Sequence, residues 1–214
     1  MTKVRVGFFS FTEITDPNEH HSYNAWHMLD HMPEQYPLPG IAYGQRWVST
    51  PACRAARTVS NERLDPIHYM TLYLMSDPVD QTIAEFMQLG KELHAKDRFH
   101  LHRKARLSGP FALEAIEVAE RVLISPEAVP YRPNKGLHVV VQTADRPGPP
   151  LGEWCATPGV AGAWTFADDT HRISVAWCDD EPLAVTLPPT HDAGIVFAGP
   201  LETITPWQWN WFDA

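Results

Sequence analysis

The order of strand and helix signals in residues 4–118 constrains the fold more than any other feature of the sequence. Four segments combine β-branched and aromatic residues in a way that is typical of strands, namely 4–14, 41–49, 67–75 and 111–118, the last with β character as far as Ile124. Asp16-Pro17 and Asp77-Pro78 are helix-start signals that follow the first and the third of these segments. They predict one helix to about Met32 and a second to about Arg106. The resulting order is β-α-β-β-α-β.

The second half of the chain repeats this order in reduced form. Pro158-Gly159 echoes Pro39-Gly40, and Gly199-Pro200 echoes Gly109-Pro110. The spacing between matching markers falls along the chain, which indicates shorter connections in the second copy. We therefore predict an α+β fold of two ferredoxin-like repeats. The first repeat covers 1–124, a Pro-containing linker covers 125–134, and a shortened second repeat covers 135–214.

Composition excludes several classes of protein. The net charge of −9 argues against a nucleic-acid partner, which requires a basic face. No apolar run approaches the ~20 residues that span a bilayer, so no membrane partner is expected. Cys53, Cys155 and Cys178 are odd in number, widely spaced and lack a Cys-x-x-Cys pair. These cysteines suit a reducing compartment, and we predict a cytoplasmic protein.

A basic cluster at 96–106 is the exception to the acidic composition. One interpretation is a helix C-terminus whose cations complement the helix dipole. The other is a patch that holds an anionic group of a ligand. The sequence leaves both open.

Four polar residues, His20, Asn24, His27 and His31, recur at the spacing of one helical face. A neighbouring apolar face, which can pack on a sheet, consists of Ala25, Met28, Leu29 and Met32. Imidazoles that titrate near neutrality beside an apolar wall are typical of proton-transfer sites.

Residues 23–47 carry a pattern made of Tyr23, Asn24, Trp26, His31, Pro33, Pro39-Gly40 and Arg46-Trp47. This pattern resembles the dimeric α/β-barrel superfamily of EthD-like and related proteins. The resemblance implies that two ferredoxin-like units, here in tandem in one chain, press their sheets into one barrel. It also implies a small-molecule pocket between a sheet and its first helix. His27, Met28 and Leu29 depart from the pattern and favour an aromatic or hydrophobic substrate.

The candidate site follows from this stripe and its surroundings. His27 or His31 would act as the base and the other as the acid, while Asn24 and Arg46 would stabilise an oxyanion. His68 would join them if its face of the third strand meets the helix; otherwise Tyr69 and Tyr73 would supply phenol groups. The predicted substrate-binding residues are Tyr23, Trp26, Met28, Arg46, Trp47, Tyr69 and Tyr73.

We predict an enzyme that acts on a small aromatic or hydrophobic metabolite without a cofactor, as a lyase or an isomerase or cyclase. The alternatives are a cofactor-free or haem-dependent monooxygenase, and a non-catalytic hydrophobic-ligand-binding or stress-response protein. His27, His31 and His68 could together bind a metal ion, but we predict no metal site. A homodimer of the two-repeat chain stays open.

Overall fold

The computed structural model describes residues 3–188, 194–205 and 207–213. The strands are β1 (Val4–Ile14), β2 (Ile41–Val48), β3 (Val59–Ser60), β4 (Tyr69–Ser76), β5 (Arg103–Val118), β6 (Gly136–Thr143), β7 (Val160–Ala167), β8 (His171–Cys178) and β9 (Ile195–Thr203). The helices are α1 (His20–Trp26), a π-helical turn (His27–His31), α2 (Met32–Gln35), α3 (Pro51–Ala55), α4 (Val79–Ala95) and α5 (Leu151–Ala156). None of the described helices is long and apolar enough to cross a membrane.

Eight strands close into one antiparallel barrel in the order β2-β4-β1-β5-β7-β8-β6-β9. The barrel closes where Trp47 and Val48 of β2 pair with Thr203 and Glu202 of β9. The two halves of the chain also meet along β5 and β7. The short strand β3 pairs with β9 beside this seam.

The prediction of an α+β fold with two ferredoxin-like repeats is wrong, because the structure is a closed eight-stranded β-barrel with short helices. Between β6 and β7 the chain forms only the six-residue helix α5, after a segment in which Pro147, Pro149 and Pro150 lack the N–H groups a longer helix needs. In the described part of the β8–β9 connection we find only a 3₁₀ turn, Pro182–Ala184. The α/β-barrel resemblance is contradicted with the fold class. The boundary at 125–134 stays a prediction.

The inside of the barrel is a filled hydrophobic core. Alternate residues of all eight barrel strands contribute to one buried cluster, which contains Phe9 and Phe11 of β1. The Phe9 ring centroid lies 5.7 Å from that of Phe111 and 5.2 Å from that of Phe166. Trp164 and Trp177 pack edge to face at 5.6 Å. This interior leaves the outer face of the barrel for ligand binding.

The helices α1, α2 and α4 cover the outer face of the first four strands in barrel order. Tyr23 of α1 packs with Tyr69 of β4, and Met32 and Phe86 pack with Tyr73 of β4. The helix α4 is shorter than predicted. It ends at Ala95 because Asp97 has a φ of 53°, a left-handed conformation that a helix cannot continue.

A π-helical turn interrupts the first helical segment at His27–His31. The N–H of Met32 bonds to the carbonyl of His27, five residues back. Pro33 follows directly, and its ring has no N–H and would crowd the carbonyl of Leu29 in a regular helix. The wider turn accommodates this proline, and the segment continues to Gln35 beyond the predicted end at Met32.

Arg98 fastens the π-helical turn to the loop that follows α4. Its NH2 group lies 2.8 Å from the carboxylates of both Asp30 and Glu34, and its carbonyl accepts the Trp26 indole N–H at 2.7 Å. The side chains are partly exposed, so we expect Arg98→Met to lower the free energy of unfolding only slightly, but by more than a substitution that breaks no ion pair. Urea unfolding measures this, with Lys96→Met as the control in the same loop. Equal stabilities of the two variants would contradict the proposed fastening.

Candidate active site

A cavity of about 380 Å³ lies between the outer face of the barrel and the helices. Its floor comes from β1, β4 and β5, and its walls come from the π-helical turn, α2 and α4. None of the described residues that line it is an aspartate or a glutamate, although the whole chain carries 26 acidic residues. Lys91 and Arg103 do line it. The cavity is therefore positively charged in an acidic protein.

The floor of the cavity is part of a polar row that crosses four strands. Thr71 of β4 lies opposite both Arg46 of β2 and Ser10 of β1, and Ser10 lies opposite Ser108 of β5. Residues directly opposite each other share one face of a sheet, and Ser10 lies on the outer face because its neighbours Phe9 and Phe11 point into the barrel. Ser10, Thr71 and Ser108 line the cavity.

His27 and His31 line the cavity together, with ring centroids 5.3 Å apart. The Nδ1 of His27 lies 3.0 Å from the hydroxyl of buried Tyr23, which orients the imidazole. His31 stacks on Trp26 at 4.6 Å and meets the edge of Phe99 at 5.1 Å. Both imidazoles are thus held by aromatic neighbours.

Both histidines are neutral at pH 7. Burial, and to a smaller extent the charge of Arg46, lowers the pKa of His27 well below its ordinary value. Burial and then the charge of Arg103 lower the pKa of His31 to about 4. A neutral imidazole has one nitrogen that accepts a proton and one that donates. The pair can therefore take up a proton and deliver one within the same cavity.

Arg46 is a buried cation behind His27. Its NH2 group donates to the Oδ1 of Asn24 at 2.9 Å, and its guanidinium lies 5.1 Å from the Tyr23 ring centroid and 5.5 Å from that of Tyr69. Its Nε and Nη1 atoms are buried without a hydrogen-bond partner in the described residues. No described carboxylate lies within 4.0 Å of it. Arg46 therefore gives this side of the barrel an uncompensated positive charge.

Several buried polar atoms around the cavity also lack a partner among the described residues. They are the Nδ1 of His31, the amide of Gln35 and the hydroxyls of Thr71 and Tyr73. All four residues line the cavity. Buried polar groups without partners are uncommon in folded proteins, so these atoms indicate where a ligand would bond.

The structure brings part of the predicted site together. His27, His31 and Tyr73 line the cavity, while Tyr23 and Trp26 support the two histidines from behind. Met28 packs into the apolar cluster of Met32, Tyr73 and Phe86 beneath the helix. Asn24 is fully buried and holds Arg46 and the Tyr69 hydroxyl.

Other predicted residues lie elsewhere. Trp47 packs inside the barrel and donates to the Oδ1 of Asn134 at 3.1 Å. His68 contacts His20 and Phe212, with ring centroids 4.8 and 5.1 Å away, and does not line the cavity. The tyrosine face of β4 is the one that meets the helices, as the alternative prediction has it, although the Tyr69 hydroxyl bonds to His20 and Asn24 rather than facing the cavity.

Sequence reasoning missed several cavity residues, among them Gln35, His94 and Phe99. The hydroxyl groups of the cavity floor could have been predicted in part, because Ser10 interrupts an apolar run in the sequence of β1. Arg103 lies in the basic cluster at 96–106, for which one interpretation is a patch that holds an anionic group of a ligand. The interpretation of that cluster as a helix C-terminus is wrong, because α4 ends at Ala95.

Among the described residues, the group able to hold a metal ion lies outside the cavity. Asp16, Glu19 and His102 place one ligand atom each within 4.8 Å of one another. His27, His31 and His68 do not form such a group. No protein-family model matches the chain, and neither a curated protein nor a solved structure is similar to it.

Proposed function

We propose that this protein is an enzyme that transfers a proton on a small organic molecule held in the cavity, with His27 and His31 as the acid–base pair. The observation that carries the proposal is the pair of neutral imidazoles 5.3 Å apart in one cavity of about 380 Å³. A cavity of this size suits a small metabolite. The apolar walls of Phe8, Phe86 and Phe99 suit the hydrophobic or aromatic body predicted from the sequence.

The chemistry divides between the two histidines and the polar row. One imidazole accepts a proton from an acidic C–H or O–H group and becomes an imidazolium, which returns the proton to the molecule directly or through the second imidazole, so that both histidines end neutral. Negative charge that develops on the substrate faces the hydroxyls of Thr71 and Tyr73 and the field of buried Arg46. Because these groups are already fixed, they stabilise that charge without reorganising.

The proposal stops at proton transfer. No observation supports a lyase or an isomerase class, so the reaction type predicted from the sequence is withdrawn. The monooxygenase alternatives and the homodimer stay predictions. The cytoplasmic location is part of the proposal, supported by three buried free cysteines, Cys53, Cys155 and Cys178.

Hydrogen–deuterium exchange tests the proposal without a known product. A library of small carbon acids with aromatic or apolar bodies is incubated with the protein in D₂O, and loss of the acidic C–H signal is followed by proton NMR. We expect His27→Gln and His31→Gln each to slow exchange by about 100-fold, which corresponds to about 2.7 kcal/mol of lost catalysis. His21→Gln, on the exposed side of α1, is the matched control and should exchange at the wild-type rate.

Two outcomes contradict the proposal. In the first, both histidine variants are folded and still exchange at the wild-type rate. In the second, the wild type binds library members but exchanges none of them. The second result favours the non-catalytic ligand-binding alternative, which the apolar cavity walls would serve equally well.

A further inference from the structure

We infer that the cavity recognises a carboxylate on its ligand through Arg103, so that its substrates are small carboxylic acids with an apolar body. This inference rests on the proposed function, because a bound carboxylic acid is a substrate only if the proposed proton transfer takes place. Arg103 begins β5 and lines the cavity together with His27 and His31.

Arg103 has no acidic partner in the part of the chain that the structure describes. No described carboxylate lies within 4.0 Å of its guanidinium, and its side chain donates no hydrogen bond to a described residue. Two arginines close to it in the chain are paired, Arg98 with Asp30 and Glu34, and Arg106 with Glu13. In a chain with 26 acidic and 17 basic residues, a half-buried arginine left unpaired beside a cavity indicates that its partner is the ligand.

A β-bulge directs Arg103 towards the cavity. Phe11 and Thr12 of β1 are consecutive, but their partners on β5 are Leu107 and Ala105, so β5 has one extra residue here. Arg103 and Ser108 would face opposite sides of a regular strand, since an odd number of positions separates them. The bulge places both on the outer face, where both line the cavity. The local backbone is thus arranged to deliver this guanidinium to the site.

The surroundings fix the guanidinium without neutralising it. Its central carbon lies 4.8 Å from the Phe99 ring centroid and 5.6 Å from that of Trp26. Cation–π contacts of this kind orient the planar group and leave its N–H donors free. The charge of Arg103 also lies close to the proposed acid–base pair, since it is the second cause, next to burial, that lowers the pKa of His31. An acid bound here would lie beside the proposed acid–base pair.

The shape of a guanidinium selects the ligand group. Two parallel N–H donors match the two oxygens of a carboxylate, which gives a bidentate pair. The hydroxyls of Ser10 and Ser108 and the ammonium of Lys91 also line the cavity. Apolar surface comes from Phe8, Phe86 and Met87 in the same cavity. Together these walls fit one carboxylate and one apolar body, such as a single ring.

Calorimetric titration with phenylacetate tests the inference, with phenylacetamide as its uncharged counterpart and phenyl phosphate as a second anion. We expect Arg103→Met to weaken phenylacetate binding by at least tenfold and Arg103→Lys by less, because lysine keeps the charge but loses the bidentate geometry. Lys104→Met, the exposed neighbour, removes the same charge and should bind as the wild type does. Phenylacetamide binding should be weak and equal in the wild type and Arg103→Met.

Every outcome of this titration either supports or overturns the assignment of a carboxylate to Arg103. Phenylacetate binding that is undetectable in the wild type at millimolar concentration, or that is unchanged in Arg103→Met, overturns the inference. Tighter binding of phenyl phosphate than of phenylacetate overturns the carboxylate assignment. Binding is read without turnover, so the titration does not depend on exchange catalysis. Normal binding with no deuterium exchange would therefore defeat the proposed function alone, and exchange that does not depend on Arg103 would defeat this inference alone.

Discussion

Lowering the pH from 7 to 5 is expected to reduce the free energy of unfolding by roughly 6 kcal/mol through His20, His31 and His68, at roughly 2 kcal/mol each, and buried His27 adds to this loss. Burial is the largest cause that lowers the pKa of His20 and His31 to about 4 and that of His68 to about 3, from an ordinary value of 6.5. Below pH 6.5 these histidines bind protons in the unfolded chain but stay unprotonated in the folded protein. Their contribution to stability is therefore fully present above pH 6.5, the histidine pKa of the unfolded chain, and is lost as the pH falls towards 4. The loss is comparable to the whole stability of an ordinary domain.

Urea unfolding followed by tryptophan fluorescence at pH 7, 6 and 5 measures this loss. His31→Gln should reduce the loss between pH 7 and pH 5 by roughly 2 kcal/mol, because it removes one of the buried imidazoles that must take up a proton. Leu29→Gln is the control on the same π-helical turn, since Leu29 is 56% exposed and cannot titrate. A free energy of unfolding that stays constant between pH 7 and pH 5 would show that these histidines are hydrated in the folded protein.

The first strand shows what sequence pattern predicts well. The predicted bounds of β1, 4–14, are those of the structure, because the run of β-branched and aromatic residues ends at a proline-containing helix start. The second predicted helix fails at its far end. Residues 96–106 are polar enough to continue a helix pattern, but charged and apolar residues also alternate over 104–107, as they do in the strand β5. Short windows of this kind fit either period.

Barrel closure could not be predicted from periodicity. The alternation along a strand tells which residues share a face, but it does not tell which strand lies beside it. The pairs that make one sheet from two halves join β5 to β7 and β2 to β9, across long stretches of chain. The prediction interpreted the second half as a shortened ferredoxin-like repeat, and so it gave two α+β repeats in place of one β-barrel.

The candidate site was predictable in part for the same reason. A spacing of 3.6 residues placed His20, Asn24, His27 and His31 on one face, and the structure buries the first three of them. The π-helical turn before Pro33 separates their roles, since His27 and His31 reach the cavity while His20 bonds to Tyr69. The orientation of Arg103 towards the cavity depends on a β-bulge, and no pattern in the sequence predicts that bulge.

Asn24→Leu is expected to lower the free energy of unfolding by about 4 kcal/mol, because it leaves a buried cation without any hydrogen bond. Arg46 is 2% exposed, and Asn24 accepts the one side-chain hydrogen bond that its guanidinium makes among the described residues. The same amide donates to the Tyr69 hydroxyl at 2.9 Å and to the carbonyl of His20 at 2.8 Å. Leucine replaces none of these contacts. Thermal and urea unfolding at pH 7 measure the loss.

Three further variants separate the effect of the lost Asn24 hydrogen bonds from the effect of leaving the buried charge of Arg46 without a partner. Asn18→Leu makes the same substitution at an exposed position of the neighbouring turn and should cost less than about 1 kcal/mol. Asn24→Asp keeps an acceptor for Arg46 and adds a counter-charge, so it should retain most of the stability. Arg46→Met in the Asn24→Leu background removes the charge itself and should recover stability. If the double variant is no more stable than Asn24→Leu, the buried charge is not what Asn24 compensates, and Arg46 would lose its proposed part in stabilising negative charge beside His27.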